Sequence, residues 1–252
     1  MIHEIIRDSS LFGLIVLLSF LFNYNKSVKY WYILILFFVV GFADNLSYTL
    51  ISAYPYLQII KSNVWNNYLI CNWSAKLYSV IFALIILLSF KNIISPEDIG
   101  IRFKQNKDSV KFSLIFLSLF FFTAIIVGLL SRKGNFDTKT LIYLAVMPGL
   151  NEELIYRGFL LGFLNKIYDK KFKILNTYFG WGAIITSIVF GLLHGYQITA
   201  NYQIRFNNIS NIILASVFGF IFALMKEKSD SLVFPVIAHN TVDFFNYLIR
   251  MI

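Results

Sequence analysis

The chain has 252 residues, of which 58% are hydrophobic and only 14% charged, and its mean hydropathy is +0.69. That excess of apolar residues lies outside soluble-domain norms and excludes both an ordinary soluble domain and a disordered chain. The net charge of +9 does not indicate a nucleic-acid partner, because the basic residues are scattered through short connections with no basic face or recognition motif. They suit topology signals and contacts to anionic lipid headgroups. Cys71 is the only cysteine, so there is no disulfide framework and no thiolate zinc site, and any metal would have to be held by His and carboxylate.

Eight apolar segments follow one another, near 9–24, 30–53, 68–90, 110–130, 140–166, 178–200, 208–225 and 231–249. The first, with its apolar core from Leu11 to Phe22, has the length of a signal-peptide core. The residues after it, Asn23-Tyr24-Asn25-Lys26, make no small-residue cleavage site, so a retained helix is expected. The second and third segments carry Asp44-Asn45 and Lys76, which can pair inside the bundle or sit at its interface. Pro55, Pro96 and Pro235 fall in or beside connections, whereas Pro148 interrupts the fifth segment and predicts a kink there. No internal repeat, low-complexity tract or appended soluble domain is present. The fold expected is all-α: one polytopic helical membrane bundle of about eight spans.

The connections after segments one, three, five and seven carry 2, 5, 4 and 2 basic residues, 13 of the 22, and the opposite side carries 7. The positive-inside rule then places the richer side in the cytoplasm and both termini outside.

Three motifs can carry chemistry. In the fifth segment Glu152-Glu153 is followed by Arg157. On a helix Glu153 and Arg157 are one turn apart and can pair, which leaves Glu152 as the less compensated carboxylate and a candidate general base. A purely structural salt bridge would not need the second Glu. The sixth segment holds Phe190-Gly191-Leu192-Leu193-His194-Gly195, whose glycines permit close helix approach around His194. The eighth holds His239-Asn240-Thr241-Val242-Asp243 with Asn246 beyond. Positions 239, 243 and 246 share a helix face, and such a stripe in apolar sequence predicts a polar cavity. Two Glu and two His are the parts needed to activate a water molecule.

In this order the motifs resemble the CPBP family, the type II CAAX prenyl endopeptidases and the bacteriocin-processing or self-immunity (Abi) proteins. The family pattern is a paired Glu with a downstream Arg, then Phe-x-x-x-His, then His-x-x-x-Asn or Asp. Ile99-Gly100-Ile101-Arg102 also looks like the short signature that precedes the family's core. The resemblance covers roughly residues 95–250. It divides the single structural domain into motif-free helices at 1–94 and a CPBP-like core at 95–252.

The resemblance implies an intramembrane endopeptidase acting on membrane-associated peptides or proteins, with membrane lipid as its other partner. Glu152 would take a proton from water, helped by His194. Glu153 would support the site or pair with Arg157, and Phe190 would pack beside it. His239 with Asp243 would complete either an oxyanion pocket or a metal site. In a metal-free mechanism an ionised Asp243 cannot donate a hydrogen bond, so Asn246 or Asn240 would substitute. In a metal mechanism Glu152, His194, His239 and Asp243 would hold a zinc-like ion. The sequence leaves both open. The Lys/Asn/Ile-rich composition suggests a bacterial plasma membrane. Two other functions fit less well: a non-catalytic regulator or immunity protein acting by binding, and a proton-coupled transporter, which the lack of an inverted repeat disfavours.

Overall fold

A computed structural model describes residues 2–60, 72–131 and 134–252. Cys71, the first residues of the third apolar segment, and Arg132 and Lys133 lie outside the described residues. All eight apolar segments form helix. They are α1 (Ile2–Phe22), α3 (Trp31–Ala53), α4 (Trp73–Ser89), α5 (Lys107–Leu130), α6 (Thr138–Glu152) continuing into α7 (Leu161–Ile167), α8 (Trp181–Leu193), α9 (Ile209–Ser229) and α10 (Val233–Met251). A short α2 (Tyr24–Lys29) joins the first two. Helices α1, α3, α5 and α9 are each long and apolar enough to cross a membrane. The chain is an all-α integral membrane bundle.

Local chemistry sets the helix ends. The side chains of Asn72, Asp137 and Asn208 accept the backbone N–H groups of Ala75, Lys139 and Asn211, capping α4, α6 and α9. Asp230, left-handed at φ 54°, closes α9. Two small antiparallel hairpins interrupt the helical plan. The first pairs β1 (Phe172–Ile174) with β2 (Thr177–Phe179) through a turn in which Leu175 and Asn176 both have positive φ. The second pairs β3 (Tyr196–Ile198) with β4 (Ile204–Phe206). This corrects the sixth segment, expected to run to residue 200. The helix stops at Leu193, and the chain turns at His194-Gly195 into the second hairpin.

The connections after the first, third, fifth and seventh segments meet on one face. Asn23 donates to the Ile167 carbonyl at 2.7 Å, Lys26 pairs with Asp169, and Lys166 pairs with Asp98 at 2.9 Å. Lys228 donates to Leu175 at 3.1 Å, and Asn106 donates to Lys228 and Asp230 at 3.0 and 3.1 Å. These are the connections that carry the basic excess.

Lipid tails are as apolar as leucine, so packing rather than water exclusion holds such a bundle together. The central layer is α7 and the turn before it: Phe159 and Phe163 are fully buried in one apolar core with Phe12 of α1 and Phe37 of α3. Leu17, Leu21, Phe122 and Leu130 stay exposed, as lipid-facing residues should be. Helices α8 and α9 touch backbone to backbone at Gly191, where a Cβ would overlap Ser216 and lie 2.5 Å from the Ile212 carbonyl oxygen. The glycine three residues before the histidine is therefore a packing requirement.

Candidate active site

The site begins at Pro148. Proline lacks the N–H for its own helical bond. The next N–H, of Gly149, turns outward and donates to Asn240 Oδ1 at 2.8 Å, while Asn240 Nδ2 donates to the Val146 carbonyl at 3.2 Å. One asparagine on α10 thus clamps α6 where its ladder is weakest. The helix nevertheless continues to Glu152 and then widens into a π-helical segment, Glu153–Leu160, all of it buried. Such wider turns re-aim side chains and are frequent at functional sites.

Glu152 and Glu153 point to different partners. Glu153, fully buried, accepts from Arg157 Nη1 at 3.2 Å and from His239 Nδ1 at 2.8 Å on the same oxygen, Oε1. Arg157 is itself fully buried; its Nε donates to the Gly219 carbonyl at 3.3 Å, and its guanidinium lies 4.2 Å from the centre of the Phe190 ring. Gly219 on α9 leaves the room this needs, since a Cβ there would lie 2.5 Å from Arg157 Nη2. Glu152 instead accepts from Lys76 Nζ on α4 at 2.7 Å through Oε1, while its Oε2 faces His239 Nε2 at 3.7 Å. Asp243, one turn beyond, lies 3.5 Å from the same nitrogen.

A buried polar network holds Lys76 in place. Lys76 also donates to Asn151 Oδ1 at 3.2 Å, and Asn151 Nδ2 reaches Asp44 Oδ1 at 3.2 Å and Ser79 Oγ at 3.0 Å. Ser79 donates to the same Asp44 oxygen at 2.5 Å. Both amide ends of Asn151 therefore tie α3 and α4 to the helix of the acidic pair.

The histidines are oriented by carbonyl and carboxylate acceptors. His194 Nδ1 lies 2.7 Å from the Phe190 carbonyl, so that nitrogen carries the hydrogen. His239 stacks on Phe222, with rings 5.5 Å apart and 13° from parallel, and its Nδ1 donates to Glu153. A cavity of about 620 Å³ is lined by Glu152, His194, Asp243, Lys76 and Tyr156. A smaller one, about 170 Å³, lies between α8, α9 and α10 and reaches His239, sharing Phe190, His194 and Asp243 with the first.

Glu152, Glu153, Arg157, Phe190, His194, His239 and Asp243 therefore meet, as the motifs led one to expect. Three expectations are corrected. Glu152 is not left without a countercharge, because Lys76 pairs with it directly. Asp44 and Lys76 do not pair with each other but are joined through Asn151 and Ser79. Asn240, offered as a substitute oxyanion donor, is directed at α6 through both ends of its amide and lines neither cavity.

Among the described residues lining the two cavities Asn246 does not appear, so the polar stripe of α10 reaches the site only through His239 and Asp243. The set Glu152, His194, His239 and Asp243 does not fit a metal ion as arranged. Among the described residues no group of three His, Cys, Asp or Glu has an arrangement that could hold a metal ion, and an ammonium already sits on Glu152. Sequence reasoning missed Asn151 and the pairing of Lys76. The usable signal was that both are polar residues in apolar helices, which require internal partners.

No curated protein and no solved structure matches the chain. Residues 134–245 match the family described as "Type II CAAX prenyl endopeptidase Rce1-like", a stretch that begins just before α6 and ends inside α10, beyond Asp243. Over that stretch the chain is similar to the CPBP/CAAX proteases, the same family that its three motifs resemble.

Proposed function

We propose that this chain is an intramembrane endopeptidase in which Glu152 activates the attacking water without a metal ion. Its likeness to that family supports the protease activity. The observation that carries the mechanism is the division of labour on the Glu152 carboxylate: Lys76 holds Oε1 at 2.7 Å, and Oε2 faces His239 across 3.7 Å on the cavity side. That gap is too long for a direct hydrogen bond and leaves Oε2 able to accept a proton from a water.

In this reading a water held between Glu152 Oε2 and His194 attacks the peptide carbonyl carbon. Its proton passes to Glu152, and the C–O bond forms as the carbonyl π pair moves onto oxygen. His239 in its doubly protonated form balances Glu152, Glu153 and Asp243 together with Lys76 and Arg157. It donates from Nε2 to the oxyanion. Glu153 and Asp243 hold that ring from either side. Collapse of the tetrahedral intermediate breaks the C–N bond, and the proton on Glu152 passes to the leaving amine. The motif-free helices of residues 1–94 supply Lys76 and the Asp44 support, so the unit expected to fold and act is the whole chain. The proposed setting is a bacterial plasma membrane, and the proposed substrates are membrane-associated polypeptides.

The test is cleavage of a quenched peptide library by the purified chain in proteoliposomes, with and without chelator, beside Glu152→Gln and His239→Ala. Cleavage that ignores the chelator and disappears in both variants is expected. Cleavage lost to chelator and restored by zinc would overturn the metal-free mechanism. A Glu152→Gln chain that retained its biological effect would favour a binding regulator instead.

A further inference from the structure

A third cavity, of about 610 Å³, lies between the end of α1 and the start of α8 and shares no lining residue with the two at the acidic pair. Ile15, Leu18 and Phe22 follow one another at helical spacing along its α1 wall, and Trp181 and Ile185 lie one turn apart along its α8 wall. At ~1.5 Å rise per residue the apolar wall on α1 runs about 10 Å into the bundle.

Polar groups of the lining are already spent on the protein. Tyr168 donates to Ser19 Oγ at 3.0 Å, Asn23 Nδ2 donates to the Ile167 carbonyl at 2.7 Å, and Asp169 accepts from Lys26 at 2.5 Å. A peptide entering here would find no partners for its backbone N–H and C=O groups, whereas a hydrocarbon chain needs none. The mouth is different. Lys171 and Trp181 stand there exposed, and neither the ammonium nor the indole N–H has a hydrogen bond or ion pair among the described residues. The neighbouring lysines are taken: Lys26 by Asp169, Lys166 by Asp98 and Lys170 by Glu227. Trp181 packs edge-on against Phe172, with rings 5.6 Å apart, which steadies the indole at the rim. Tryptophan and lysine at the end of an apolar wall are the side chains that meet a headgroup layer.

We infer that this cavity is a binding site for one anionic glycerophospholipid, with an acyl chain between α1 and α8 and the phosphate against Lys171 and the Trp181 indole N–H. Charge complementarity selects the headgroup: an anionic lipid neutralises the unpaired Lys171, whereas a zwitterionic one brings an ammonium of its own to it. Nothing in this assignment depends on the protease chemistry.

The test is quenching of Trp181 fluorescence by lipid carrying brominated acyl chains. The full chain is reconstituted in phosphatidylcholine vesicles with a rising fraction of brominated phosphatidylglycerol or, separately, of brominated phosphatidylcholine. The signal lost in Trp181→Phe separates this residue from the other three tryptophans. Phosphatidylglycerol is expected to quench Trp181 half-maximally at a mole fraction about fivefold lower than phosphatidylcholine, the worth of one lysine facing an anionic lipid. Lys171→Gln should bring the two lipids together. Lys173→Gln removes the same charge from a lysine that lies over the Tyr178 ring and does not line the cavity, and should leave the preference intact. Equal quenching by the two lipids overturns the site, and so does no quenching of Trp181 by either. A preference that survives Lys171→Gln, or falls equally in Lys173→Gln, overturns it in favour of a diffuse basic surface. Quenching that weakens as the protein-to-lipid ratio rises would mean that a second copy covers the cavity, and quenching relieved by soluble glycerol phosphate would mean that a free phosphate is the ligand; either result overturns the lipid.

Discussion

At the residue scale the proposed mechanism divides the acidic pair into a reacting and a structural carboxylate. Glu152→Gln keeps the shape but removes the proton acceptor, and cleavage should fall by about 10²–10⁴-fold while the chain still folds. Glu153→Gln is expected to act differently. It weakens the partner of a fully buried guanidinium, and leaving a buried charge uncompensated costs on the order of 3–5 kcal/mol. Thermal unfolding in detergent should therefore shift strongly for Glu153→Gln and little for Glu152→Gln; equal shifts would sink the division. The Glu153–Arg157 pair was legible because four residues make one helical turn. The Lys76–Glu152 pair was not: its members lie 76 positions apart on separate helices, and periodicity says nothing about which helix faces which.

At the element scale the π-helical segment and the clamp from α10 decide how the acidic pair is presented. Asn240→Leu would remove both hydrogen bonds to α6 and leave a Gly149 N–H and a Val146 carbonyl without that partner. A loss of about 1–3 kcal/mol is expected, seen as a lower unfolding midpoint together with reduced kcat. Unchanged stability and activity would show that Pro148 alone sets the geometry. Gly219→Val tests the opposite contact, since any side chain there collides with Arg157. It should destabilise by about 1–3 kcal/mol through overpacking, and an unchanged melting curve would contradict the tight α9 crossing. Pro148 showed in the sequence that the helix is irregular. It could not show that the irregularity emerges after Glu152 as a widened turn, because that depends on an acceptor supplied from α10.

At the scale of the whole molecule the basic face is a set of connections tied by charge. Burial alone would raise the Asp98 carboxyl, but the backbone N–H of Ser95 and the Lys166 ammonium outweigh it and hold the group below its ordinary value of 3.8. A depressed carboxyl stabilises the fold fully above its unfolded pKa, and that contribution is lost as the pH falls through the folded one. The chain should thus hold its melting temperature down to the ordinary carboxylate range and lose stability below it. Asp98→Asn should flatten part of that acid limb. The group is more than a third exposed, so the effect at neutral pH should be below about 1 kcal/mol. An acid limb identical in the two proteins would show that the Lys166–Asp98 pair contributes nothing. The succession of apolar helices and the four basic connections that gather on one face were legible at this scale, because apolar length and Lys/Arg placement are properties of the chain itself.

The sequence by itself determined that the chain lives in a membrane, how its helices follow one another, and which residues are the candidates for its chemistry. Those features follow from hydropathy, charge count and spacing along a helix, all of them local. Only the tertiary structure decided the partners: Lys76 on Glu152, Arg157 and His239 on one oxygen of Glu153, and Asn240 on α6. A buried charge or amide must find a partner, but which one it finds depends on how the helices rotate and cross. That is set by small-residue contacts such as Gly191 on α9 and by the ladder broken at Pro148, neither of which is visible until the helices are packed.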